Sequence, residues 1–189
     1  MIRESPAGPR PPVALGCIGV VAFIGVVVVL GVAAVGFFES GANSGKLVLA
    51  PADSYANGAV EFVAERNVYV ARLGDGSFVA LSDLDGANRA SAQRRCRVSP
   101  IPITDPKLPG LLGRYTGRMS ALAVGTTLLF REDCNSAIYD VTGVRLDTDA
   151  ANLERHPVDI DSARRLTVDV SKRICTKREG ANPLAVASC

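Results

Sequence analysis

The sequence predicts an all-β fold: a small antiparallel β domain carried behind one N-terminal membrane-spanning helix. Three observations predict it. An uncharged, strongly apolar run covers residues 13–38. Beyond it, short bursts rich in Val, Ile, Phe and Tyr alternate with Gly, Asp and Asn turn signals, and few segments have a helical period. Four cysteines lie outside the apolar run, an even set of the kind that forms disulfides in an oxidising compartment.

The elements follow in chain order. Residues 1–12 are a cytoplasmic tail with Arg3, Glu4 and Arg10, net +1; the chain is +2, so residues 39–189 also carry +1. Charge this weak and scattered leaves no electrostatic footprint for nucleic acid. The run 13–38 has 26 residues. At 1.5 Å per residue it spans about 39 Å, more than the roughly 30 Å hydrocarbon core of a bilayer. Arg3 and Arg10 precede it, Phe37 and Phe38 close it, and Glu39 follows. The positive-inside rule then places the N-terminus in the cytoplasm and the remaining chain outside. The run is about twice the length of a cleaved signal core, so it is read as a retained single-pass anchor of the cell membrane, with Cys17 a buried apolar residue within it. Its scattered glycines permit close helix packing without specifying it.

Residues 39–59 form a linker and a first strand. Gly41 to Lys46 looks like a phosphate loop but has three residues between its glycines, not four, and Leu47 in place of Ser or Thr. The domain proper spans 60–175. Strands are expected at 60–63 and 67–72, with a Gly74–Asp75–Gly76 hairpin turn before a strand at 77–81. Pro100, Pro102, Pro106 and Pro109 make 99–113 an irregular loop within an insertion, 99–122. Residues 121–130 read as one or two strands. Segments 138–141 and 144–146 pair around Thr142–Gly143, and 157–160 pairs with 166–170. Residues 176–189 are a C-terminal tail.

Chemistry-bearing residues are few. Asp83 and Asp85 beside Gly86 read as a solvated turn, since the EF-hand ligand order is absent. Glu132 and Asp133 are a possible carboxylate pair; Asp147, Asp149, Asp159 and Asp161 read as exposed. The single histidine, His156, reads as a surface strand residue, and one His with no GxSxG leaves little room for a Ser–His site. No CxxC pair points to a zinc ribbon. Cys96, Cys134, Cys175 and Cys189 read as disulfides, with three possible connectivities.

Taken in order, "NVYVARLGDGSFVALSD" (67–83), "CRV" (96–98), "LLFREDCNSAIYDVTGVRL" (128–146), "LERHPVDID" (153–161) and "LTVDVSKRI" (166–174) resemble the Rieske iron–sulfur domain over about residues 60–174. In that family a hairpin ending in an ALS-like strand precedes a first box, CxHxxC. A second box, CxCHGSxxD-like with an aromatic before its Asp, opens another hairpin. Each box gives one Cys and one His to the cluster and a further Cys to a disulfide joining the boxes. The ligand positions here hold Ser91 and Gln93 in the first box and Glu132 and Asn135 in the second. Both disulfide positions remain, so the resemblance implies a Cys96–Cys134 bond, and elimination leaves Cys175–Cys189. Tyr139–Asp140 keeps the Tyr-Asp of the second box, and Ala137 replaces its serine. A Rieske centre needs two imidazoles on one iron, and the chain has one His.

The resemblance implies a Rieske-like domain that carries no cofactor and is not itself an enzyme. It would act as an accessory subunit of a membrane electron-transfer complex, with the other subunits and the lipid bilayer as its partners. A Rieske-class electron-transfer subunit of a quinol oxidoreductase and an extracytoplasmic protein-binding module are the alternatives.

Overall fold

The computed structural model describes residues 25–31, 45–90, 96–106, 108, 113 and 115–189. The chain divides into two units, residues 1–44 and 45–189. In the first, residues 25–31 are helical and exposed. The rest of the anchor expected at 13–38, including Cys17, lies outside the described residues. Among the described residues no helix is long and apolar enough to cross a membrane.

The second unit is mostly β and wholly antiparallel in its named pairings. Its twelve strands are β1 (Lys46–Pro51), β2 (Val60–Val63), β3 (Val68–Arg72), β4 (Phe78–Asp85), β5 (Val98–Pro102), β6 (Leu128–Glu132), β7 (Ile138–Tyr139), β8 (Leu153–His156), β9 (Val158–Ile160), β10 (Arg165–Asp169), β11 (Thr176–Glu179) and β12 (Asn182–Val186). They form sheets of order β1-β10-β9, β2-β3-β4-β8 and β5-β6-β7, plus the hairpin β11-β12.

The four-stranded sheet is the middle layer. A strand's side chains alternate between faces, and β3 is apolar on both. Val68 and Val70, with Ala80 of β4, pack on Leu166 and Val168 of β10. Tyr69 and Ala71, with Leu81 of β4, pack on Val98, Phe130 and Tyr139 of the third sheet. Burial on both sides explains the continuous apolar runs Val68–Ala71 in β3 and Phe78–Leu81 in β4. Their hairpin turns as predicted: Leu73 N–H donates to Ser77 O, Gly76 N–H donates to Leu73 O, and Gly76 takes φ +85°, which a residue with a Cβ resists. The pairing of β9 with β10 also matches the expected hairpin.

Four assignments change. The first strand expected within 39–59 is present at 46–51 and pairs with β10, so the folded unit starts at Gly45 and not at residue 60. The expected loop 99–113 begins as strand β5. Its prolines, Pro100 and Pro102, fall on the same parity of an edge strand opposite Phe130 and Leu128, where a missing N–H costs the ladder nothing. The expected strand at 121–130 is a 3-10 turn, Ala121–Ala123, then a bend, then β6. Gly125 at φ +86° breaks the extended run. The tail 176–189 is a hairpin, with Asn152 donating to Thr176 Oγ1 and to Pro183 O.

Candidate functional site

The two segments likened to cluster boxes meet at one end of the third sheet. Cys96, just before β5, and Cys134, in the turn after β6, form a disulfide with Cα atoms 5.5 Å apart; Cys175 and Cys189 form the second, at 5.2 Å. Both expected pairings are present. They point to a domain folded in an oxidising compartment.

Glu132 ends β6 beneath the first disulfide and is fully buried. Its carboxylate accepts from Cys134 N–H at 3.1 Å and Asn135 N–H at 2.5 Å, and from Asn88 Nδ2 at 3.3 Å. A buried carboxylate needs such charge-assisted donors, and here they are the backbone of the very turn that carries Cys134 and Asn135. Asn88 belongs to the short helix Gly86–Ala90. Its own N–H donates to Asp85 Oδ1 at 2.7 Å, and Tyr139 Oη donates to Asp85 Oδ2 at 3.0 Å. Burial and the Asp85 carboxylate push the Tyr139 phenol far up, so it stays a donor. One connected network thus runs from β4 through the helix to β6 and β7. Asp140 builds the adjoining turn: Oδ1 accepts from Thr142 N–H, Thr142 Oγ1 and Val144 N–H, and Oδ2 from Ser120 N–H.

The donors do not suit an iron–sulfur cluster. Cys96, Glu132 and Cys134 each place one atom within 4.8 Å of the others, but both sulfurs are spent on the disulfide. Glu132 is committed to three N–H groups, Asn135 is an exposed neutral amide, and no imidazole is nearby among the described residues. Soft thiolates and imidazoles are what iron–sulfide requires. Ser91 and Gln93, the other two residues that the resemblance sets at ligand positions, lie outside the described residues. Asp133 is exposed beside buried Glu132, so the possible carboxylate pair is split between two environments. Ala137 is buried under the same turn.

Three residues are more buried than their sequence suggested. Asp83 and Asp85 are the last inward-facing acids of β4, 2% and 4% exposed, and not a solvated turn. Burial raises the Asp83 carboxyl above its ordinary value against the pull of Arg97 and Arg89. His156 is 7% exposed, not a surface residue. Its Nδ1 donates to Lys172 O at 2.7 Å, and its Nε2 lies 3.1 Å from Ser82 Oγ. A carbonyl only accepts, so the ring is protonated at Nδ1 and accepts from Ser82 at Nε2. Nothing in the sequence signals this pair, because the two residues are 74 positions apart.

No protein-family model, no curated protein and no solved structure matches this chain.

Proposed function

We propose that the chain is a Rieske-like accessory subunit of a membrane electron-transfer complex, one whose cluster position has become a structural tip. It is anchored by residues 13–38, with residues 1–12 in the cytoplasm and the domain outside. One observation carries the reading. The Cys96–Cys134 disulfide joins the two box-like segments, while Glu132, at a ligand position, turns inward to organise the turn around Cys134. The bond between the boxes is kept and the ligand chemistry is replaced. A fold kept without its site points to a scaffolding or docking role. Leu122, the last residue of the insertion, and Val124, just past it, are 46% and 69% exposed, and offer apolar contact to neighbouring subunits.

The test is purification of the tagged full chain from its native membranes in mild detergent, with iron assay and identification of what comes with it. The reading requires redox subunits at fixed stoichiometry and no iron bound to this chain. Recovery of the chain alone, or a Rieske-type paramagnetic signal from it, would overturn the reading.

A further inference from the structure

A cavity of about 330 Å³ opens beside His156. Its walls come from the β2–β3 turn (Arg66), β4 (Ser82, Asp83), the short helix (Arg89), β8 (His156) and the β10–β11 loop (Arg173). Glu154, 3% exposed, lies behind the cationic wall. It pairs with Arg89 Nε at 2.7 Å and Arg173 Nη1 at 3.3 Å, and so holds two guanidinium groups side by side. Arg66 makes no ion pair among the described residues. Asp83 lies on another side, with Arg97 Nε 3.3 Å from its Oδ2. Four arginines against two carboxylates leave this corner with two positive charges in excess, where residues 39–189 together carry one.

We propose that this cavity binds a small oxyanion of the phosphate class through Arg66, Arg89 and Arg173. Guanidinium forks match phosphate oxygens in geometry. Two of the three are already fixed by Glu154, so less side-chain freedom is lost on binding. Arg89 Nη2 also donates to Ser82 Oγ at 3.1 Å, and Ser82 in turn meets His156. The cationic wall and the imidazole are therefore coupled through one hydroxyl. One wall residue, Val170, donates its N–H to Gly45 O, where the domain begins. A free phosphate and a lipid headgroup phosphate share the required chemistry.

His156 is the only histidine in the chain, so its ring resonances report on this cavity alone. Burial holds its pKa below the ordinary value; Arg89 and Arg173 act in the same sense, and Glu154 and the Lys172 carbonyl oppose them. An anion that neutralises the arginines raises the pKa. The experiment is an NMR pH titration of His156 in the full chain, held in non-ionic detergent, with and without inorganic phosphate. A parallel arm uses phosphatidylglycerol or phosphatidylcholine added to the micelles. Phosphate should raise the His156 pKa by roughly half a unit or more, with about tenfold weaker binding in Arg66→Gln and in Arg173→Gln. Asp83→Asn should bind severalfold tighter. A response to phosphatidylglycerol but not to phosphate or phosphatidylcholine supports the proposal, with the headgroup as source. No shift from any of them, a shift that survives Arg66→Gln unchanged, or weaker binding by Asp83→Asn would overturn it. Failure here leaves the accessory-subunit reading untouched, since that reading concerns the disulfide tip and the partners.

Discussion

At the scale of single residues, buried polar groups decide how the tip is built. Glu132 takes three donors with no exposure to water. Glu132→Gln keeps one acceptor oxygen but turns an amide toward the N–H groups of the Cys134 turn. The expected cost is about 2 kcal/mol, in the range for hydrogen bonds to charged groups, read as a lowered urea midpoint with unchanged slope. Gly143 sits at φ +83°, and a Cβ there would meet Leu81 Cδ2 at 2.8 Å. Gly143→Ala therefore combines a left-handed backbone with overpacking, for a loss of about 2–3 kcal/mol by the same measurement. His156 gives a pH effect with a definite sign. Its folded pKa is lowered, so the unfolded chain binds the proton more readily. Its contribution is fully present above about pH 6.5 and declines as pH falls below that value. Relative to His156→Gln, the wild type should lose stability between pH 7 and 5.5; a flat difference would refute the buried neutral ring. The sequence offered Glu132 through a resemblance and as half of a possible carboxylate pair, neither of which showed its burial, and it misread His156 outright. Burial depends on which strands become neighbours, and His156 is covered by β4 and the Lys172 loop, both distant in sequence.

At the scale of elements, local chemistry was the better guide. The Gly74–Asp75–Gly76 turn fixed the β3–β4 hairpin, and Asp161 accepts the N–H groups of Ala163 and Arg165 to turn β9 into β10. Both could be read because the turn residues act within a few positions of themselves. What failed was long-range. Pro100 and Pro102 argue for a loop until β6 supplies an edge to pair with. The 176–189 segment reads as a tail pinned by the expected Cys175–Cys189 bond, and only Asn152, distant in sequence, shows it to be a hairpin. The two disulfides span 38 and 14 positions. In the chain-entropy model they stabilise by about 4 and about 3 kcal/mol. Replacing both cysteines of a pair by Ser should cost on that order. Loss of the second pair should first free β11 and β12, seen as fast amide exchange there while β3 and β4 stay protected. Equal loss of protection throughout would show that the hairpin is not a separate element of stability.

At the scale of the whole molecule, the question is which side of which membrane the folded unit occupies. The disulfides point to an oxidising space, and the uncharged stretch 13–38 is long enough to span a bilayer in the proposed topology. Arg3 and Arg10 lie before that stretch and Glu39 after it, and under the topology proposed above the positive-inside rule would orient the chain with its C-terminus outside. A tag fused after Cys189 should then be removed by protease added to intact cells or, in a cell with an outer membrane, to spheroplasts. A tag before Met1 should be digested only after lysis. The membrane fraction should retain the full-length chain through a carbonate wash, because burying some twenty apolar residues outweighs any peripheral attachment. The charges can be tested as the cause: Arg3→Glu with Arg10→Glu, and Lys inserted after Phe38, should shift part of the population to the opposite orientation. Chains so inverted would place Cys96 and Cys134 in a reducing compartment, where thiol labelling would find them free. If the C-terminal tag resists that protease (in spheroplasts, where there is an outer membrane) while the disulfides are formed, the orientation is wrong. The oxidising space would then have to lie on the side where the arginines are.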